Sequence, residues 1–213
     1  MIRYIYGTDL VRHPRLRDGM FRDRADQFVT RLGWDLPLRP DGAEVDQYDA
    51  LDPLYVIWEK ADGSHGGSMR LLPTTGRTMV NEHFTDLIGG GTIVSPLIWE
   101  CTRFCLARET DPRTAAALML AGGEVMHGFG VEHYVGVFDA RMVRIYRRIG
   151  ASPEVLGTTG EGRGAISIGL WEFTPEAQAR VAQSAGIAPD QSRRWFDDAF
   201  GRTPLRAAAA SAA

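Results

Sequence analysis

"PLIWECTRFCLARETDPRTAAALMLAGGEVMHGFGVEHYVGVF", residues 96–138, decides the fold. Residues 96–108 read as a strand whose apolar run is broken by Glu100 and Arg103. Asp111 can cap the helix that follows and Pro112 suits its first position, while Leu118, Val125 and Phe129 fall on one face. Residues 132–138 form the next strand. Downstream, Asp139 caps a helix over 140–149 in which Met142, Ile145, Tyr146 and Ile149 repeat at three and four, with Gly150 as its stop. A hairpin over 153–173 leads to a helix capped by Thr174 and started by Pro175, and then to an amphipathic piece around "RRWFDDAF" (193–200). Upstream of the deciding stretch, residues 53–74 read as a strand, a Gly-rich turn and a second strand. Residues 34–52 are rich in Pro, Gly and Asp and read as a surface loop or a lid over a site. Residues 16–33 read as a helix that Gly33 ends, and "YIYGTDL" (4–10) as a short strand. Hairpins followed by strand–helix–strand–helix describe a mixed α/β fold with a central sheet flanked by helices. No internal repeat interrupts it, so residues 1–205 are expected to form one domain. The tail, 206–213, has too little to bury and is expected to be disordered.

Composition excludes several function classes. A formal charge of −3 gives no reason to expect nucleic acid as a partner. No apolar run is long enough to cross a bilayer, and the first residues lack a signal peptide's continuous apolar stretch, so the cytoplasm is the expected compartment. Cys101 and Cys105 are too few for a disulfide framework, and read as buried small residues. His13, His65, His83, His127 and His133 show no metal-ligand spacing, so no metal is expected. "GTTGEGRG" (157–164) lacks a phosphate loop's Lys-Ser/Thr ending and reads as a hairpin loop. No serine stands in a G-x-S-x-G elbow.

The densest polar chemistry lies in "EVDQYD", with Glu44, Asp46 and Asp49. Three carboxylates this close repel one another unless a cation lies among them or solvent screens them. A solvated acidic loop is the plain alternative. Trp34 upstream and the apolar run "LYVIW" (54–58) downstream argue instead for a site facing a cationic, aromatic ligand such as S-adenosylmethionine. Glu100 and Arg103 would point to opposite faces of a regular strand, and reach one cleft only if the strand carries a bulge. A buried ion pair ordering the sheet is the alternative there. For Arg70, in "GSMRLLPTT" (67–75), the alternative is a sheet-edge arginine facing water.

Taken together, "RADQFVTRLGWDL" (24–36), "EVDQYD" (44–49), "GSMRLLPTT" and "ECTRF" (100–104) resemble, in order and spacing, the acyl-homoserine-lactone (autoinducer) synthase family. That family's invariant positions fall on Arg24, Phe28, Trp34, Asp46, Asp49, Arg70, Phe84, Glu100 and Arg103. The resemblance implies an N-acyltransferase-like (GNAT-like) fold with a V-shaped cleft and a bulged strand at the site. It implies that the amine of S-adenosylmethionine, a substrate rather than a prosthetic group, attacks an acyl thioester before 5′-methylthioadenosine leaves. Glu100 is then the expected base, with Arg103, Asp46 and Asp49 completing the catalytic set and the two aspartates holding the ammonium and sulfonium. Arg24, Arg70 and Arg103 order the carboxylates and the lid. Phe28 and Trp34 pack against the nucleoside, and Phe84 and Phe104 complete the substrate-binding set. The donor is expected to be an acyl carrier protein, or acyl-CoA, with the carrier docking on Arg144, Arg147 and Arg148. The rival functions are a general N-acyltransferase using acyl-CoA and another amine, which the glycine-free turn "ARETDPRT" (107–114) disfavours, and a non-catalytic S-adenosylmethionine sensor.

Overall fold

Seven strands lie in one sheet, in the order β1-β2-β3-β4-β5-β7-β6, in the computed structural model, which describes residues 1–201. β1 (Ile2–Tyr6), β2 (Leu54–Glu59), β3 (His65–Pro73) and β4 (Ile98–Leu106) run antiparallel in turn. β5 (His133–Asp139) is parallel to β4, because α3 (Thr114–Phe129) carries the chain back between them. β6 (Glu154–Thr159) and β7 (Ile166–Glu172) form the expected hairpin with β7 against β5, but residues 157–159 of the expected loop belong to β6, and the turn is 160–165. The remaining helices are α1 (Pro14–Arg24), α2 (Met79–His83), α4 (Ala140–Ile149), α5 (Pro175–Ala185) and α6 (Pro189–Ala199). The expected domain edge at 205 and the tail 206–213 lie outside the described residues.

α3 covers one face of the sheet. Leu118, Ala121, Val125 and Met126 pack there with Tyr4, Val56, Met69, Leu71 and Tyr134. Its small residues permit a close approach: a Cβ on Gly123 would fall 1.9 Å from the Phe173 ring. α1 covers the other face through Leu16, Met20 and Phe21, which meet Tyr55 and Ile57.

β4 and β5 pair only over Ile98–Glu100 and His133–Val135 and then part, which opens the sheet into a V. The expected bulge lies just past the split. Arg70 pairs with Thr102 but Ser68 pairs with Cys105, so Met69 faces two residues of β4. Arg103 takes up the extra residue with φ 51°, a left-handed conformation that a side chain adopts only at a cost.

Several boundaries differ from the sequence reading. β1 starts at Ile2, and a 3₁₀ segment, Gly7–Arg12, replaces the end of the expected strand. The first helix starts at Pro14, a favourable first-turn residue, and beyond Arg24 it widens into a π-helical segment, Ala25–Arg31. The last helix starts at Pro189, ahead of the amphipathic piece. α2 had no expected counterpart.

Candidate active site

The acidic stretch folds on itself before it meets anything else. Asp46 caps the 3₁₀ turn Gln47–Leu51, its Oδ1 accepting from the N–H of Tyr48 (2.9 Å) and of Asp49 (3.3 Å). Asp49 Oδ2 accepts in return from the Asp46 N–H at 2.8 Å. This reciprocal cap fixes both carboxylates and aims them at the sheet.

Three arginines meet them there. Arg70, on β3, donates from Nη1 to Asp46 Oδ1 (2.5 Å) and Asp49 Oδ1 (2.8 Å), and from Nε to Thr102 Oγ1 (3.0 Å). Arg24, at the end of α1, donates from Nε to Glu44 Oε2 (2.5 Å) and from Nη1 and Nη2 to the two oxygens of Asp49 (2.9 and 3.0 Å). Arg103, turned by the bulge, donates from Nη2 to Glu44 Oε1 (2.9 Å) and lies 2.8 Å from Asp46 Oδ2. Tyr55 adds a hydroxyl donor to Asp49 Oδ1 at 2.5 Å. Arg24, Glu44 and Arg70 are all but fully buried.

Three positive and three negative groups alternate, which satisfies charges that would be costly to bury singly. Burial pushes the Arg24 pKa down, but Asp49 and Glu44 more than reverse this and hold it above the usual range. Burial raises the Asp49 pKa, and Arg24 and Arg70 more than reverse it, so Asp49 stays ionised.

Two alternatives are excluded here and one expectation is corrected. Arg70 is 0% exposed at the centre of this network, not a sheet-edge arginine facing water. The acceptor positions of Asp46 and Asp49 are taken by arginines, main-chain N–H groups and Tyr55, so neither aspartate stands open to hold an ammonium or sulfonium directly. Nor is the stretch a solvated loop, since Glu44 is 1% exposed.

Glu100 occupies the last paired position before β4 and β5 part, opposite Val135. Its Oε1 accepts from the Val80 N–H (2.6 Å) and its Oε2 from the Met79 N–H (3.1 Å), so it caps α2. Burial raises its pKa, and the two N–H donors offset this only in part. Met79 ties Glu100 to the arginines, since its Sδ lies 3.4 Å from Arg103 Nη1 and 3.9 Å from Arg70 Nη2.

Beside the network, Phe28 and Trp34 stack with centroids 5.0 Å apart and planes 15° from parallel. Arg103 lies over the other ring neighbour, 5.6 Å from the Phe28 centroid. Trp34 is 39% exposed, so the stack reaches the surface. On the α3 side of the split lies an apolar cavity of about 90 Å³, lined among others by Met69, Phe104, Gly122, Tyr146 and Trp171. Cys101 also lines it. Burial and the adjacent Glu100 push its thiol up to about 12, so it is no nucleophile at neutral pH.

Arg24, Asp46, Asp49, Arg70 and Arg103 thus meet in one network, with Glu100, Phe28 and Trp34 around it and Phe104 in the cavity wall. Phe84 lies apart from the network, packed on a small apolar cluster of Val80, Val135 and Ile168. Arg144, Arg147 and Arg148 are exposed on α4. Sequence reasoning counted Glu44 in the acidic cluster but not among the site residues, and gave no role to Tyr55, Thr102 or the N–H groups of Met79 and Val80. The D-x-x-D spacing of Asp46 and Asp49 is the one signal that could have foretold the cap. Among the described residues, no cluster of His, Cys, Asp and Glu could hold a metal ion. No helix there is long and apolar enough to cross a membrane.

A family model described as autoinducer synthase matches residues 8–181. An acyl-homoserine-lactone synthase of Rhizobium etli is 40% identical over 183 residues, covering 83% of this chain and 86% of its own. The solved structure of a CoA-dependent acyl-homoserine lactone synthase, BjaI, with SAM and isopentyl-CoA superposes with a TM-score of 0.77. It is 25% identical, over 92% of this chain and 98% of that one. A putative N-acetyltransferase of Lactobacillus plantarum, 14% identical with a TM-score of 0.54 over 81% of this chain and 99% of its own, shares the fold alone.

Proposed function

This chain belongs to the autoinducer synthase family and is an acyl-homoserine-lactone synthase; we propose that Glu100, at the apex of the split sheet, is the base of its acylation step. One observation carries the reading. Glu100 stands where three features converge: the charged network on one face, the apolar cavity on the other, and the opening between β4 and β5.

The amine of S-adenosylmethionine attacks the thioester carbonyl, a C–N bond forms, and the thiol leaves with the electrons of the broken C–S bond. The amine's proton passes to Glu100, directly or through water. Burial lifts the Glu100 pKa toward neutrality, which suits a group that must take up a proton and give it back. The methionyl carboxylate then attacks the carbon bound to the sulfonium, closing the lactone and releasing 5′-methylthioadenosine. The acyl chain lies in the cavity beside Phe104 and Trp171, and the nucleoside stacks on the exposed face of Trp34. The arginine–carboxylate network is the rigid floor that holds Arg103 and the lid segment in place, which is the role left to Asp46 and Asp49 once their acceptors are filled. Mass spectrometry of organic extracts from cells making the protein tests the reading. An acyl-homoserine lactone absent from control cells is expected, and its absence contradicts the assignment.

The acyl donor is an acyl carrier protein docking on Arg144, Arg147 and Arg148. These exposed cations complement the C-terminal end of α4, and they offer a local positive patch to an acidic carrier on a chain of net charge −3. Acyl-CoA is the second reading, favoured by the isopentyl-CoA in the BjaI structure. Reversing Arg147 and Arg148 to Glu is expected to raise KM for the acyl carrier protein and leave KM for S-adenosylmethionine unchanged. High salt should mimic the defect in the wild type, since exposed charges are screened within about 10 Å at 0.1 M. Undiminished activity of the reversed enzyme, or a wild type that prefers acyl-CoA, removes the docking.

A further inference from the structure

Past Glu100, one edge of β4 has no strand beside it among the described residues, and the π-helical segment Ala25–Arg31 covers that edge. The Ala107 N–H donates to the Gly66 carbonyl on β3, so the main-chain groups of Phe104 and Leu106, one residue out of phase, face the gap where β5 has swung away. Gln27, in the π-helical segment, meets both. Its Nε2 donates to the Phe104 carbonyl at 3.0 Å, and its Oε1 accepts from the Leu106 N–H at 2.8 Å. One turn on, Arg31 Nη1 donates to the Leu106 carbonyl at 3.4 Å. Carbonyl i and N–H i+2 are the pair that one residue of a parallel neighbour binds in a ladder. The Gln27 carboxamide therefore stands in for the N–H and C=O of one residue of the missing strand.

The acyl donor must lie in this gap. Its carbonyl has to reach Glu100 with its chain in the cavity, and the arm bearing the sulfur must run out between the parted strands. Phe104 is four residues beyond Glu100, about 13 Å along an extended strand, on that route. The arm of any biological acyl thioester of this class is a pantetheine, whose two amides each offer an N–H and a C=O. An arm lying beside β4 finds the Phe104 carbonyl and Leu106 N–H already taken, and desolvating its own amides without partners is costly.

We propose that Gln27 is a placeholder for the donor's pantetheine arm, and that binding of the acyl thioester exchanges the Gln27 carboxamide on β4 for the N–H of one arm amide and the C=O of the other. This rests on the reading of the cleft as an acyl-thioester site, and it holds for acyl-CoA and acyl carrier protein alike because they share the arm. The exchange explains why a polar side chain from the π-helical segment reaches into a sheet. It also ties donor binding to the segment that carries Phe28, next in sequence to Gln27.

The test is KM for four donors with the same acyl group: acyl-pantetheine, acyl-CoA, acyl carrier protein, and the ethanethiol thioester, which has no amide. Gln27→Ala removes the competitor, and Gln27→Met does so at nearly constant volume should the alanine variant fold poorly. Either is expected to lower KM about threefold to tenfold for every donor bearing the arm, and to leave the ethanethiol thioester unchanged. An unchanged or raised KM for acyl-pantetheine overturns the proposal, as does an equal fall for the ethanethiol thioester. So does a shift confined to acyl-CoA or to the carrier protein, which would place Gln27 against the carrier and not the arm. A wild type that turns over no thioester refutes the function itself, a different outcome from a wild type whose KM ignores Gln27.

Discussion

Glu100→Gln is expected to lower turnover by about 10²–10⁴-fold while changing the affinity for S-adenosylmethionine little. The substitution keeps the side chain's size and leaves an oxygen to accept from the N–H of Val80 or Met79, the two donors that hold the carboxylate at the head of α2. It removes the capacity to take a proton. Wild-type activity should also fall on acidification through a pKa above the usual carboxylate range, because burial raises that of Glu100. That limb should vanish from the residual activity of the variant. Calorimetry on Glu100→Gln, and kinetics at a series of pH values, separate a lost base from a damaged site. A variant that binds S-adenosylmethionine poorly in proportion to its lost turnover would mean that Glu100 shapes the site and does not move the proton.

Arg70→Met should have the largest effect on stability. Removing one partner of a buried ion pair and leaving the others typically costs about 3–5 kcal/mol. Here it takes from Asp46 and Asp49 the one cation among the described residues that both accept from, in a site where that side chain is 0% exposed. For a chain of this length the loss corresponds to a fall in Tm of about 6–20 °C. Arg77 offers the internal control. Its pair with Glu82 is made at the surface, where it is 56% exposed and screened by solvent, and Arg77→Met should leave Tm nearly unchanged. The pH dependence has a definite sign. Asp49 is depressed in the folded protein, so its contribution is present above its unfolded pKa and is lost as pH falls through the lower folded value. Arg70→Met removes one cause of that depression and should shrink the acid-sensitive part of the stability. Equal Tm values for Arg70→Met and Arg77→Met would show that the network is a solvated surface feature.

Much of this was legible in the sequence, for identifiable reasons. The strand–helix–strand of residues 96–138 announced itself through the apolar face of α3, although the helix starts at Thr114 with Arg113 as its N-cap, not at Pro112 behind an Asp111 cap; the placing of Glu100 and Arg103 three apart demanded the bulge that the structure carries at Arg103. The partners of the acidic stretch were harder to read. Arg24, Arg70 and Arg103 come from three elements distant in sequence, and only the folded sheet sets them between Glu44, Asp46 and Asp49. The resemblance alone names these arginines as partners of the carboxylates; the local residue pattern points the aspartates at a ligand, and the structure fills their acceptors with the arginines. α2 escaped because its five residues lack the length for a periodic pattern, and because its N-terminal N–H groups are satisfied by Glu100 from a distant strand and not by a local cap. The π-helical segment had no local signal either, and its contacts, Gln27 and Arg31 on β4, are made to residues distant in sequence.

Release of 5′-methylthioadenosine from S-adenosylmethionine by purified protein, with and without an acyl thioester, tests the account most directly. Release that depends on the thioester, with the acyl-homoserine lactone formed in equal amount, is the result expected of an enzyme that acylates the amine before it closes the ring. Equal release in the absence of any thioester would contradict it, since the leaving group would then depart without the acylation that Glu100 is placed to assist.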